Sequence, residues 1–150
     1  MRVVIQRVSK SNVEVSGEVI GEIKTGLMVL VSFVDEDTNI DLEWMSKKII
    51  NLRIFNDEEG KMNRSIQDVG GNILLISQFT LHGSTKKGNR PSFIKAAKPD
   101  FANNMYEKFI KVLEQSLSKE IQTGEFGGDM KVSLINDGPT TIIIDSKNRE

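Results

Sequence analysis

Leu27-Met28-Val29-Leu30-Val31-Ser32-Phe33-Val34 is an almost uninterrupted apolar run of strand length, rich in β-branched residues, and its reading decides the fold class. A strand that is apolar on both faces must be covered on both faces, so the run belongs at the centre of a sheet. Gly26 breaks the chain just before it and separates it from a meander. In that meander residues 2–8 and 13–15 have strand character, and Ser16-Gly17 makes a tight turn into residues 18–23.

After the central strand, Thr38 or Asn39 caps a helix in which Ile40, Trp44, Lys48 and Leu52, with Met45 and Ile49 beside them, share a face at helical spacing. Asn56-Asp57-Glu58-Glu59-Gly60 reads as a hairpin loop, and residues 72–81 as a second buried strand entered through Gly70-Gly71. Pro99 and Asp100 open the longest helix, with Phe101, Met105, Phe109, Val112 and Leu113 as its apolar stripe. The glycine-rich stretch 124–128 leads to an alternating strand over residues 130–136, and a last strand, 140–145, follows Asp137-Gly138-Pro139. This pattern predicts an α+β fold, with a mainly antiparallel, barrel-like sheet and two main helices in one domain over residues 1–150. Residues 146–150 read as a frayed tail.

Composition removes several classes of function. With no cysteine, neither a disulfide framework nor a thiolate metal site exists, and a cytoplasmic address follows. Met1-Arg2-Val3-Val4-Ile5-Gln6-Arg7 has charges inside its first apolar stretch, unlike a signal peptide, and no run approaches the roughly 20 apolar residues that cross a bilayer. A membrane partner is not expected. The net charge of −1 argues against gripping long nucleic acid such as DNA by charge alone. Charge is nevertheless uneven: between Lys86 and Lys98 only basic residues occur, Lys86, Lys87, Arg90, Lys95 and Lys98. Such a run is either a solvated loop or a local phosphate contact.

The usual catalytic inventory is thin. The single histidine, His82, sits next to a loop and reads as a surface residue more readily than as a base. No phosphate-cradling glycine loop occurs, and neither a metal nor a cofactor is called for. Two segments stand out. In Ser77-Gln78-Phe79-Thr80-Leu81 an apolar strand turns abruptly polar. Either its polar groups satisfy a local turn, or main-chain N–H groups and the Ser77 and Thr80 hydroxyls face a pocket and bind a developing oxyanion. Asn136-Asp137-Gly138-Pro139-Thr140-Thr141 is either a plain turn or, through a cis bond before Pro139, a pair of main-chain carbonyls turned to one side that hold an ammonium group.

Together with residues 1–8 and the loop Lys87-Gly88-Asn89-Arg90-Pro91-Ser92-Phe93, these two segments resemble the D-aminoacyl-tRNA deacylase family, in order and over nearly the whole chain. The resemblance implies that family's fold and hydrolysis of the ester between a D-amino acid and tRNA. It also implies a homodimer whose active sites lie at the subunit interface, each completed by a cis Gly138-Pro139 segment from the partner chain. Paired carbonyls there capture the α-amino group, exclude L side chains by collision with the backbone, and admit glycine. By the same resemblance Arg7 pins that segment from behind, Met130 lies in the pocket wall, and Ser77, Gln78, Phe79 and Thr80 hold the ester beside the terminal adenosine. Thr80 is either the nucleophile or, the reading preferred because no neighbouring base activates its hydroxyl, a bystander while water attacks with the aid of the free ribose hydroxyl. Lys86, Lys87 and Arg90 would touch acceptor-end phosphates. Two residues depart from the family pattern: Gly128 where alanine is expected, and His82 where many relatives carry an aromatic. A non-catalytic tRNA-end or protein interaction module of the same fold, and a general esterase acting through Thr80 or Ser77, are the competing readings.

Overall fold

The computed structural model describes residues 1–150. The apolar run becomes β3 (Gly26–Ser32), flanked by β1 (Arg2–Val15) on one side and β6 (Asn72–Ser77) on the other. β1 is a single 14-residue strand where two shorter ones are expected. It pairs antiparallel with β3 over residues 2–8 and with β2 (Glu18–Ile23) over residues 11–15, so β2 and β3 lie end to end along one edge. Along its other edge runs β8 (Met130–Asp145), also antiparallel. β8 absorbs both strands expected around Asp137-Gly138-Pro139, because that segment bulges without reversing the chain.

The antiparallel expectation covers the β1 pairs but not the far side, where β6 and β7 (Gln122–Thr123) are parallel to their neighbours. Parallel pairing needs a crossover. Between β3 and β6 it is supplied by α1 (Asn39–Asn51) and the small hairpin of β4 (Phe55–Asn56) and β5 (Met62–Arg64), and between β6 and β7 by the helix over residues 99–117. The sheet curls so far that a Cβ on Gly21 of β2 would lie 2.9 Å from the Thr123 carbonyl oxygen of β7. The result is an α+β fold with a mixed sheet nearly closed into a barrel.

Alternation along the strands sends Leu27, Val29, Val31, Ile73 and Leu75 into a core of 22 buried residues under α1 and α2 (Pro99–Leu117). Met28, Leu74 and Ile76 point the other way, into a smaller cluster with Val8, Val13 and Ile23. α1 starts at Thr38, whose N–H donates to the Asp41 carboxylate at 2.9 Å. Its buried face is Leu42, Met45, Ser46, Ile49 and Ile50, one step round from the expected one, leaving Ile40 72 % exposed. The helix turns that face to α2 as well as to the sheet, and Ser46 Oγ donates to Ser116 Oγ at 2.9 Å. On α2 the buried row is Met105, Tyr106, Phe109, Leu113 and Leu117, while Phe101, in the first turn, stays partly exposed.

Residues 146–150 do not fray as expected. Ser146 is buried with its N–H on the Met1 carbonyl, Lys147 Nζ reaches the Asp41 carboxylate at 2.9 Å, and the Arg149 guanidinium lies 4.2 Å from the Trp44 ring centre. Polar composition suggested freedom; paired charges supply the anchors.

Candidate active site

β6 ends at Ser77, and the Gln78 N–H donates to the Val31 carbonyl at 2.7 Å, carrying the sheet one residue further. The chain then winds into a short 3-10 turn, Phe79–His82. The N–H groups of Phe79 and Thr80 have no acceptor within the chain, as expected at the start of a turn. The Ser77 hydroxyl has none either, whereas Gln78 Nε2 donates to Thr80 Oγ1 at 2.6 Å. Ser77, Gln78 and Phe79 border a mostly apolar cleft of about 700 Å³ whose walls also include Ser32, Phe93, Lys98, Phe126 and Met130; Thr80, the next residue, is exposed and lies outside that lining. The volume of the cleft suits a nucleoside-sized ligand. Phe79, 57 % exposed, packs edge-on against Phe93, with ring centres 5.1 Å apart.

No base stands beside Thr80. His82 is a buried residue, contrary to the surface position expected of it, and its Nδ1 is 2.7 Å from Ser32 Oγ. Burial first, then the charges of Arg2 and the Met1 ammonium, hold its pKa below the ordinary value against the opposing pull of Asp145 and Asp37. The ring is therefore neutral near pH 7 and turned to Ser32, not to the Thr80 hydroxyl. No three His, Cys, Asp or Glu side chains converge anywhere in the chain.

The Gly138-Pro139 peptide bond is cis, at the tip of the bulge in β8. Thr141 pairs with Gln6 and Asn136 with Val8, so residues 137–140 all stand opposite Arg7. Arg7 is buried, 6 % exposed; its Nε donates to the Asp137 carbonyl at 2.8 Å and its Nη1 to the Ile54 carbonyl. Asn136 Oδ1 accepts the Thr140 N–H at 2.8 Å, closing the bulge. Position 138 admits only glycine: its φ is +139°, and a Cβ there would lie 2.6 Å from Thr140 Oγ1 and 2.8 Å from Arg7 Nη2. Gly138 and Pro139 themselves are exposed.

The chain does not bring its two motifs together. Ser77 lies in register, through Val31 and Val3, with Ile144 of β8. The bulge lies opposite Arg7, four residues further along β1: roughly 13 Å along the strands and, across three strand spacings, about 14 Å sideways. Neither Gly138 nor Pro139 lines the cleft, whereas Met130 does. Lys86, Lys87 and Arg90 project, exposed and without ion pairs, from a loop closed by the Ser84 and Ser92 main chains. Sequence reasoning did not single out Ser32 as part of these sites; it named His82 only as a surface residue and a departure from the family pattern, and Thr140 only within the string 136–141. Ser32 had a visible signal, as the one hydroxyl inside the apolar run.

Fold and cleft together describe an α+β protein whose candidate site offers hydroxyls and main-chain dipoles and has no side-chain acid–base pair beside Thr80. The comparisons give the family: a model of the D-Tyr-tRNA(Tyr) deacylase family matches residues 4–145, and the chain belongs to that family. It is 62 % identical over 150 residues to a D-aminoacyl-tRNA deacylase of Flavobacterium johnsoniae and 59 % identical over 150 residues to one of Bacteroides fragilis, with all of both chains covered each time. Among solved structures, a c-Myc DNA unwinding element binding protein superposes with a TM-score of 0.92 at 41 % identity, over 97 % of this chain and 98 % of that one. A probable eukaryotic D-amino acid tRNA deacylase has the same fold, with a TM-score of 0.82 at 18 % identity, over 95 % of this chain and 97 % of that one.

Proposed function

We propose that the chain hydrolyses the ester bond of D-aminoacyl-tRNA as a homodimer, in which each cleft is completed by Gly138 and Pro139 of the partner subunit. The observation that carries this reading is the separation of the two motifs: a cleft with free main-chain donors at one place, and at another a rigidly backed, exposed Gly138-Pro139 segment with nothing in its own chain to meet. β8 adds a means of association. Its outer edge has no strand partner, and it leaves Ile135 and Ile143 exposed, a surface suited to a second copy.

In this arrangement the cleft takes the terminal adenosine, and the ester carbonyl lies against the N–H groups of Phe79 and Thr80, which stabilise the tetrahedral oxyanion. Water is the nucleophile, assisted by the free ribose hydroxyl; the Thr80 hydroxyl, held by Gln78, positions the substrate and forms no covalent bond. Main-chain carbonyls of the Gly138-Pro139 segment hold the α-ammonium group. An L side chain would then collide with backbone, a D side chain points outward, and glycine is accepted. Because the contacts are main-chain, amino acid identity is ignored while handedness is read. Lys86, Lys87 and Arg90 contact acceptor-end phosphates; a few such contacts serve a tRNA end at a net charge of −1. The whole chain acts as one domain in the cytoplasm.

The test is hydrolysis of D-tyrosyl-tRNA, L-tyrosyl-tRNA, glycyl-tRNA and a simple aryl ester by the purified protein. Cleavage of the first and third only is expected. Cleavage of L-tyrosyl-tRNA at a comparable rate removes the stereochemical account, and cleavage of the aryl ester alone makes the protein a general esterase.

A further inference from the structure

Ser32 is the only polar side chain within β3, a strand otherwise made of apolar residues and glycine, and it is 2 % exposed. A hydroxyl so placed is costly unless hydrogen-bonded. It has two neighbours: His82 Nδ1 at 2.7 Å and the Phe79 carbonyl oxygen at 3.4 Å. Both belong to the turn that presents the free Phe79 and Thr80 N–H groups. A hydroxyl carries one hydrogen. When Ser32 donates it to Phe79, the short contact to His82 must be donated by the ring.

We propose that Ser32 and His82 form a positioning relay: His82 Nδ1–H donates to Ser32 Oγ, and Ser32 O–H donates to the Phe79 carbonyl, fixing the Thr80 N–H in an outward direction, away from Ser32 and beside Phe79. The geometric link is the peptide plane. The Phe79 carbonyl and the Thr80 N–H belong to one trans peptide unit and point in opposite directions. Drawing the carbonyl inward towards Ser32 turns the N–H outward, to the exposed side of the turn next to Phe79, which lines the cleft with Ser32. At 3.4 Å the second bond is long, so it orients the peptide without gripping it. The turn is held from its far end too: Arg2 Nη1 donates to the Leu81 carbonyl at 2.8 Å, while Arg2 Nε donates to Asp145 at 3.0 Å. With Leu81 fixed from one side and Phe79 oriented from the other, the peptide between Phe79 and Thr80 has little freedom to rotate. Such preorganisation is what main-chain stabilisation of an oxyanion requires.

The inference rests on the reading that the Thr80 N–H meets the ester oxygen, and the test separates the two. Steady-state deacylation of D-tyrosyl-tRNA is measured for the wild-type chain, Ser32→Ala, Ser32→Cys, His82→Leu, His82→Asn and the Ser32→Ala/His82→Leu pair, with melting temperatures as the folding control. Ser32→Ala and His82→Leu should each lower kcat roughly tenfold with KM within about twofold, a fraction of the loss expected when an oxyanion donor is removed outright. The double variant should be no slower than either single one, since both break one relay. His82→Asn, whose amide places a donor near the Nδ1 position, should recover most of the rate. Ser32→Cys, near in size but a weak donor, should resemble Ser32→Ala, and it decides the matter where a larger change fails to fold. Full activity in folded Ser32→Ala and Ser32→Cys, or losses that multiply in the double variant, overturns the relay. A wild-type chain inert towards D-tyrosyl-tRNA overturns the underlying reading instead.

Discussion

Arg7 Nε lies 2.8 Å from the carbonyl oxygen of Asp137, joining the middle of the longest antiparallel pair to the bulge that carries Gly138 and Pro139. The same guanidinium reaches the Ile54 carbonyl through Nη1. One buried fork thus fixes the bulge and ties it to the segment leading into β4. A lysine offers a single ammonium and cannot serve both carbonyls in that geometry. Arg7→Lys should lower stability by about 1–3 kcal/mol, as expected when a buried carbonyl loses its donor. It should also narrow the preference for D- over L-tyrosyl-tRNA, read from the ratio of the two deacylation rates.

Thr80 separates two chemistries within one residue. Its hydroxyl is engaged with Gln78, while its N–H is free. Thr80→Ala removes only the hydroxyl and should slow deacylation modestly, with no acyl-enzyme trapped in a quench experiment. Thr80→Pro removes the N–H together with the hydroxyl, breaks no main-chain hydrogen bond within the chain, and should lower kcat by roughly 10²–10³ beyond the Thr80→Ala loss, the effect typical of one oxyanion donor. Equal, severe losses in both variants point to a Thr80 nucleophile.

Thr140 Oγ1 is the one buried side-chain polar atom without a hydrogen-bond partner. Valine has nearly the same shape and no group to leave unsatisfied, so Thr140→Val should be neutral or stabilising by up to about 1 kcal/mol. In a domain of this size that corresponds to a rise of roughly 2–4 °C in melting temperature. A fall of that size in calorimetry shows that the hydroxyl has a partner in the assembled protein.

Asp41 links the first turn of α1 to the C-terminal residues. Burial alone would raise its pKa, but hydrogen bonds from Lys147, the Thr38 N–H and the Ser146 and Thr38 hydroxyls outweigh burial and hold it well below the aspartate range. The folded pKa lies below the unfolded one, so this stabilisation is complete above the ordinary aspartate value of about 3.9 and is lost as pH falls through that value and below. Chemical denaturation from pH 6 down to pH 3 should show wild-type stability falling more steeply than that of Asp41→Asn. Parallel curves contradict the assignment.

The strands were legible because their signals are local. The run 27–34 predicted a central strand, and Ser16-Gly17 a turn into β2; both follow from covering apolar faces and from backbone freedom at Gly17, whose φ is +84°. What escaped depends on distant partners. The buried face of α1 is set by α2, the parallel direction of β6 by the crossover before it, and the anchoring of residues 146–150 by carboxylates more than a hundred residues away. Ser77 to Thr80 and Gly138-Pro139 stood out as breaks in a regular pattern. That they lie on opposite sides of β1 is a property of pairing, not of either string. The burial of His82 was illegible for the same reason, since its partner Ser32 lies fifty residues earlier.

The most direct measurement of the shared site is subunit complementation between two inactive chains. Thr80→Pro spoils the cleft and leaves the Gly138-Pro139 segment intact; Gly138→Ala spoils the segment and leaves the cleft intact. Co-expressed with different tags and purified as a random mixture, half of the dimers are mixed and each mixed dimer has one complete site. D-tyrosyl-tRNA deacylation should therefore return to roughly a quarter of the wild-type rate, as two-fold symmetry dictates. Activity no greater than the sum of the two variants measured apart, from a mixture shown to contain mixed dimers, contradicts a site built from two chains.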